Sequence, residues 1–262
     1  MPNNHCSPHI KTVSGCFSRE ALVNIANNIN NSGGSIAIGS KNKDELVKEI
    51  NKSMNKQCKK DDEICWANAT NNHDLVDEYY KPKRPEKKHQ WLSSTDISKV
   101  MKQYMKKYKD FMFFGPLPRD FADINTEISK QNLHKLQLRG INYVGIIFNM
   151  DKHNQPGSHW VAYFIDLKRD LSVEYFDSVA VKPPKEINTF MDKVIANARK
   201  NLKLNLKKKI NNIQHQKKNS ECGVYSLHFI IERLAGRTFE EVIRDVISDS
   251  DMNEFRNEYF RK

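Results

Sequence analysis

The chain has 262 residues, 38% of them hydrophobic and 10% aromatic, which is enough for a core in one large or two small domains despite a low mean hydropathy. Its formal charge of +11, from 43 basic against 32 acidic residues, favours acidic partners such as nucleic acid but is also what simple solubility requires. No apolar cluster is long enough to span a bilayer, residues 1–5 carry no apolar leader core, and a chain this long needs no disulfide staples, so membrane, secreted and disulfide-scaffold classes are set aside.

The five cysteines, Cys6, Cys16, Cys58, Cys65 and Cys222, are odd in number and irregular in spacing, and a reducing compartment is expected. In the Asn- and Lys-rich stretch before residue 70, one helix is predicted after Ser18, with Phe17, Leu22, Ile25, Ala26 and Ile29 on a single face, and a second over residues 44–54. Residues 73–88 turn charged and Pro-bearing and read as an exposed linker. The expected division is therefore an N-terminal, arm-like and mainly helical region, 1–89, and a second domain, 90–262.

That second domain begins with a helix capped by Ser94 or Thr95, carrying Ile97, Val100, Met101 and Tyr104 at helical spacing, and closed by an apolar turn over residues 111–116. Three β-rich runs follow at 143–148, 159–167 and 173–176, the last two forming a hairpin about the Lys168-Arg169-Asp170 turn. A helix after Pro183-Pro184, a strand near 210–213, a helix from Cys222 to Ala235 stopped by Gly236, and two short helices complete the chain. The expected fold is α+β, a small mixed sheet flanked by helices.

Cys222 is the residue with the most chemical promise. A cysteine at a helix start is ordinarily a small buried apolar group, but here a polar loop precedes it and Gly223 follows, permitting close backbone approach. A free thiol is only a few per cent ionised at neutral pH, and both an imidazole and the positive end of a helix favour the thiolate. His159 can supply the imidazole, because the Pro156-Gly157-Ser158 turn puts it at the start of a strand, where its side chain can overhang a cleft. Hairpin pairing of 159–167 with 172–178 brings Asp177 nearly opposite His159, as a carboxylate that orients the ring requires. Asp166 and Asp170 are rivals nearer the hairpin's far end. Donors to a substrate oxyanion are the Cys222 backbone NH and the Gln216 amide, with Asn219 and Gln214 as alternates.

Other chemistries are weaker. The sets His5, Cys6, His9, Cys16 and Cys58, Cys65, His73 lack the paired spacing of a zinc site, and Ser32-Gly33-Gly34-Ser35 has no phosphate-loop match, so no metal or cofactor is expected. The lysines at 203, 207–209, 217 and 218 have no interleaved aromatics, which allows at most a weak nucleic-acid contact. The order His, Asp, Gln, Cys excludes the papain arrangement, and the helical stripe after Cys222 argues against a trypsin-like barrel.

The segments His159-Trp160, Tyr175-Phe176-Asp177-Ser178, Gln214-His215-Gln216 and Glu221-Cys222-Gly223-Val224-Tyr225 resemble the adenovirus-protease and SUMO-protease clan of cysteine proteases. Asn212-Ile213-Gln214-His215-Gln216 and the closing Asp251-Met252-Asn253-Glu254-Phe255-Arg256 look most like the polyprotein-processing proteases of African swine fever virus and other large nucleocytoplasmic DNA viruses. The resemblance covers residues 90–262, with Trp91-Leu92 similar to the segment that leads into the clan's first catalytic-domain helix. It implies His159 as general base and acid, Asp177 as orienter, Gln216 as oxyanion donor and Cys222 as nucleophile. It further implies cleavage of structural polyprotein precursors after Gly-Gly during maturation, in the virion and host cytoplasm. Two alternatives share these residues: a deconjugating protease for a ubiquitin-like protein, and a basic nucleic-acid-binding core protein with a vestigial site.

Overall fold

Three runs dense in β-branched and aromatic residues form the centre of a five-stranded sheet, because strands buried on both faces demand such side chains along their whole length. The structure is a computed structural model and describes residues 5–11, 14–124, 128 and 132–262. The strands are β1 Phe111–Pro118, β2 Tyr143–Asn149, β3 Trp160–Asp166, β4 Ser172–Phe176 and β5 Lys207–Ile210, lying side by side in that order. The inner pairs β2/β3 and β3/β4 are antiparallel and the outer pairs β1/β2 and β4/β5 are parallel. Within the hairpin Ala162 faces Phe176 and Asp166 faces Ser172, the register expected from the turn at 168–170.

Alternation along β3 divides the core. Tyr163 and Ile165 join Val144, Ile146, Val173 and Tyr175 in an apolar cluster with Ile187, Met191, Val194 and Ala198 of helix α7 (Lys185–Leu202). The opposite face receives helix α8 (Cys222–Ala235), where the Phe229 ring stacks on Phe176 with centroids 4.8 Å apart. Gly145 of β2 permits this approach, since a Cβ there would lie 2.9 Å from the Phe111 ring and 3.4 Å from Ile230. Helix α8 ends at Gly236, whose φ of +108° suits glycine.

Two strands differ from expectation. Residues 111–116 form edge strand β1 instead of a turn, and the Gly115-Pro116 pair that reads as a breaker is absorbed by a register shift between Phe113 and Pro116. Strand β5 lies at Lys207–Ile210 instead of 210–213; its lysines suit a sheet edge, and the chain leaves the sheet at Asn211. The remaining helices of this part are α5 (Ser94–Lys107), capped by Ser93 in a box with Asp96, and the short α6 (Leu133–Leu138), α9 (Phe239–Arg244), α10 (Asp249–Glu254) and α11 (Arg256–Tyr259).

The chain divides into two compact units, Met1–Lys83 with Phe260–Lys262, and Arg84–Tyr259. This division falls six residues before the change in composition, because Arg84 bonds Asn257 and the Lys88 carbonyl accepts from Asn253. The last residues return to the N-terminal unit through the Lys83–Arg261 bridge. That unit holds α1 (Arg19–Asn31), α2 (Lys43–Met54), α3 (Glu63–Ala69) and α4 (His73–Tyr79) around Phe17, Leu22, Ile25, Ile50 and Trp66.

Two expectations are corrected in the N-terminal unit. Residues 73–79 are helical, and Tyr80, Lys81 and Pro82 are buried instead of forming an exposed linker. The Tyr80 hydroxyl donates to buried Glu63 at 2.6 Å and its ring meets Phe17 edge-on, contacts that composition does not reveal. The cysteines of this unit are not free: Cys6–Cys16 and Cys58–Cys65 are disulfides, with Cα separations of 5.3 and 5.7 Å, and Cys222 is the one free thiol among the described residues. The odd count therefore reflects two pairs and a remainder. No helix among the described residues is long and apolar enough to cross a membrane.

A buried ion cluster fastens α8 to the hairpin. Arg233 Nε donates to Glu174 Oε2 at 2.7 Å, while its Nη2 reaches Glu174 Oε1, Asp170 Oδ2 and Asp166 Oδ2 at 2.8, 2.8 and 3.2 Å. Removing the cation strands the carboxylates in the interior, a loss of roughly 3–5 kcal/mol. Arg233→Met should lower the thermal and urea midpoints accordingly, and a variant as stable as the parent would refute the role given to this cluster.

Candidate active site

Strand β3 begins at Trp160, and the residue before it extends the ladder, since the His159 carbonyl accepts from the Met150 NH at 2.8 Å. The preceding loop is braced by Asp151, which accepts from the Gly157 NH and the Ser158 hydroxyl at 3.1 and 2.9 Å. Gly157, at φ +93°, makes the turn. This fixes the base of His159 while its side chain keeps 22% of its surface exposed.

Asp177 follows the last residue of β4 and is buried. Asn211 clamps it from the exit of β5, accepting from the Asp177 NH at 2.8 Å and donating to its carbonyl at 2.9 Å. The carboxylate then meets His159 Nε2 across 2.7 Å, and the same oxygen accepts from the Val179 NH at 3.0 Å. With Nε2 so engaged, Nδ1 is the ring nitrogen left for Cys222, whose side chain acts on the His159 ring. Burial alone would lower the His159 pKa. The hydrogen bond and negative charge of Asp177, together with the influence of Cys222, outweigh it and push the value up to about 10. The ring is thus an imidazolium through the neutral range.

Cys222 is the first residue of α8, nearly buried, at a helix terminus with no side-chain cap. Its first-turn NH groups and dipole favour an anion there. Glu221 just before it is buried too, but its charge is answered by Arg256 at 2.8 Å and by Asn253 at 2.9 Å, with His89 at 3.2 Å. Gly223 packs closely: a Cβ there would lie 3.1 Å from Leu92 and 3.3 Å from Trp160. Trp160 is half-buried, donates to the Leu92 carbonyl at 2.9 Å and lines a cleft.

That cleft has a volume of about 580 Å³, walled by Trp91, Trp160, Leu117 and Ile124, and adjoins His159 through Ser158 and Trp160. A second, of about 710 Å³, lies between Trp91, His89 and residues 217–220, just before Cys222. Gln216 is buried, its NH donating to the Ser178 carbonyl at 2.8 Å and its side-chain Oε1 accepting from the Ser178 hydroxyl at 2.6 Å.

His159, Asp177 and Cys222 are therefore brought together, and Gln216 is tied to the residue after Asp177. The rivals lie elsewhere: Asp166 and Asp170 bind Arg233, Gln214 donates to the Gln216 carbonyl, and Asn219 is exposed in the loop. The zinc ligands considered at Cys6, Cys16, Cys58 and Cys65 are consumed by disulfides. Sequence reasoning missed Ser178, Asn211, Glu221 and Arg256 as parts of this arrangement. Only adjacency to Asp177 and Cys222 marked Ser178 and Glu221, and nothing marked Asn211.

Residues 90–262 match the Ulp1 protease family, C-terminal catalytic domain. The chain is 35% identical over 225 residues to a protein described as a thiol protease of Acanthamoeba polyphaga mimivirus, spanning 82% of this chain and 74% of that one. It is 30% identical over 187 residues to a cysteine protease of African swine fever virus, spanning 65% and 67%. The crystal structure of an African swine fever virus protease superposes with a TM-score of 0.74 at 22% identity, covering 100% of this chain and 97% of that one, a likeness of fold.

The His159–Asp177 pair makes a pH-dependent contribution. Because the folded-state pKa lies above the ordinary 6.5, its stabilisation is complete below about pH 6.5 and is lost as pH rises through about 10. Asp177→Asn should bring the NMR titration of the His159 ring down from about 10 towards or below 6.5. It should also lower the melting temperature most near pH 6.5, with the gap closing towards pH 10. An unchanged titration would mean that Asp177 does not govern the proton on His159.

Proposed function

Because this chain belongs to the Ulp1 protease family, we propose that it is a viral cysteine endopeptidase whose nucleophile is Cys222, with His159 as acid and base, Asp177 as its orienter and Gln216 as oxyanion donor. The observation that carries the reading is the 2.7 Å contact of Asp177 with His159 Nε2, which leaves the other ring nitrogen to the one free thiol among the described residues.

The steps follow from that arrangement. The Cys222 thiolate attacks the scissile carbonyl, forming the C–S bond and moving the carbonyl electrons onto oxygen. The Cys222 NH and the Gln216 Nε2 donate to that oxyanion. The His159 imidazolium passes its Nδ1 proton to the leaving amine as the C–N bond breaks, giving an acyl-enzyme. Neutral His159 then takes a proton from water, which attacks the thioester, and the thiolate departs. Asp177 holds the ring and its charge throughout. No metal or cofactor enters these steps.

The substrates are proposed to be structural polyprotein precursors cleaved after Gly-Gly as virions mature, in the particle and the host cytoplasm. The relatives at 35% and 30% identity are viral proteases, which supports a viral setting, while deconjugation of a ubiquitin-like protein remains the second reading, since other African swine fever virus relatives are described as SUMO-1 cysteine proteases. The basic surface supports no more than a weak contact with nucleic acid, because Lys208 and Lys209 are already paired with Asp192 and Glu240.

The test is incubation with Gly-Gly-bearing structural precursors and with a ubiquitin-like fusion, reading new N-termini by mass spectrometry. Precursor cleavage should vanish in Cys222→Ala and His159→Ala and slow by about 10²–10³ in Gln216→Ala, the scale of one lost oxyanion donor. Cleavage of the fusion alone would favour the deconjugating reading, and cleavage surviving Cys222→Ala would sink the mechanism. A larger loss in Asn219→Ala than in Gln216→Ala would move the donor to the loop.

A further inference from the structure

We propose that Ser178 is a positioning residue for the oxyanion site: its hydroxyl proton selects the orientation of the Gln216 amide and presents the NH₂ end to the substrate oxygen. This rests on the reading of Gln216 as oxyanion donor.

A carboxamide has a donor end and an acceptor end of nearly the same shape, exchanged by a half-turn about its last torsion. In one orientation Gln216 stabilises a developing oxyanion, and in the other it sets a carbonyl lone pair against the same charge. Something must hold the first against the second. The Ser178 hydroxyl lies 2.6 Å from Gln216 Oε1, and both residues are buried. A buried hydroxyl must place its proton on an acceptor, and Gln216 Oε1 is the one in reach among the described residues. The Gln216 Nε2 donors have no protein acceptor among those residues and stay available to a ligand.

The backbone makes this contact hard to escape. The Ser178 carbonyl accepts from both the His215 and Gln216 NH groups, at 2.9 and 2.8 Å, and the Gln214 side chain holds the Gln216 carbonyl at 2.8 Å. Main-chain straps thus fix where the Gln216 side chain starts, and the Ser178 hydroxyl fixes which way its end faces. Ser178 directly follows Asp177, so one strand exit orients the imidazole through one residue and the amide through the next.

A kinetic double-mutant cycle tests the proposal, with rates expressed per site labelled by a thiol-directed vinyl-sulfone probe so that unfolded protein is not counted. Ser178→Ala removes the hydroxyl but leaves the carbonyl straps. It should lower kcat by about 10-fold with KM within about twofold, because the donor acts on the transition state. In the Gln216→Ala background the same substitution should have no further effect, since Ser178 acts through Gln216. Unchanged kcat in Ser178→Ala while Gln216→Ala is slow would overturn the role of Ser178 alone, as would a loss that adds fully to that of Gln216→Ala. Gln216→Ala turning over at the parent rate would instead overturn the donor reading beneath it.

Discussion

The exit of β4 is the constraint on which the rest of the site depends. Antiparallel pairing of β3 with β4 brings the start of one strand beside the end of the other, so His159 and Asp177 meet at one end of the sheet without any long-range search. A one-residue slip would turn alternate side chains to the wrong face and separate them. The register is guarded by full burial on both faces and by Glu174, in the middle of β4, whose carboxylate is claimed by Arg233 of α8. The cluster that locks the hairpin therefore also docks the helix carrying Cys222.

Cys222 is positioned by close approach and by charge compensation. Gly223 lets the first turn of α8 pass close against Leu92 and Trp160, where a Cβ would require those neighbours to give by a few tenths of an ångström. Arg256 and Asn253, from the last two helices, answer the buried carboxylate of Glu221, one residue from the thiol. Without them an uncompensated anion would be buried one residue from the Cys222 thiol. The closing helices thus act on the electrostatics of a residue more than thirty positions earlier in the chain.

Much of this was legible in the chain itself. Elements with a strong period, such as the stripe of α7 or the apolar runs of β2 and β3, declare themselves because burial of one or both faces leaves a repeating pattern. The hairpin register was readable too, since a short turn leaves little freedom. Strand β1 and helices α3, α4 and α6 were not: they are short or carry Gly and Pro, and tertiary packing overrides their weak local preference. The disulfides escaped for a related reason, because the folding of the N-terminal unit, and no motif of spacing, brings Cys6 to Cys16 and Cys58 to Cys65.

By itself the sequence determined the chemical inventory and its order: one thiol at a helix start, one histidine after a turn, one aspartate at a strand end and a glutamine shortly before the thiol. These follow from residue type and local periodicity, which a chain carries whether or not it is folded. Tertiary structure alone decided which amide end is spoken for, what claims the rival aspartates, and which buried charges are neutralised, for these depend on pairs far apart in sequence. Asp166 and Asp177 are chemically identical side chains on one hairpin; Arg233 claims the first, and His159 meets the second.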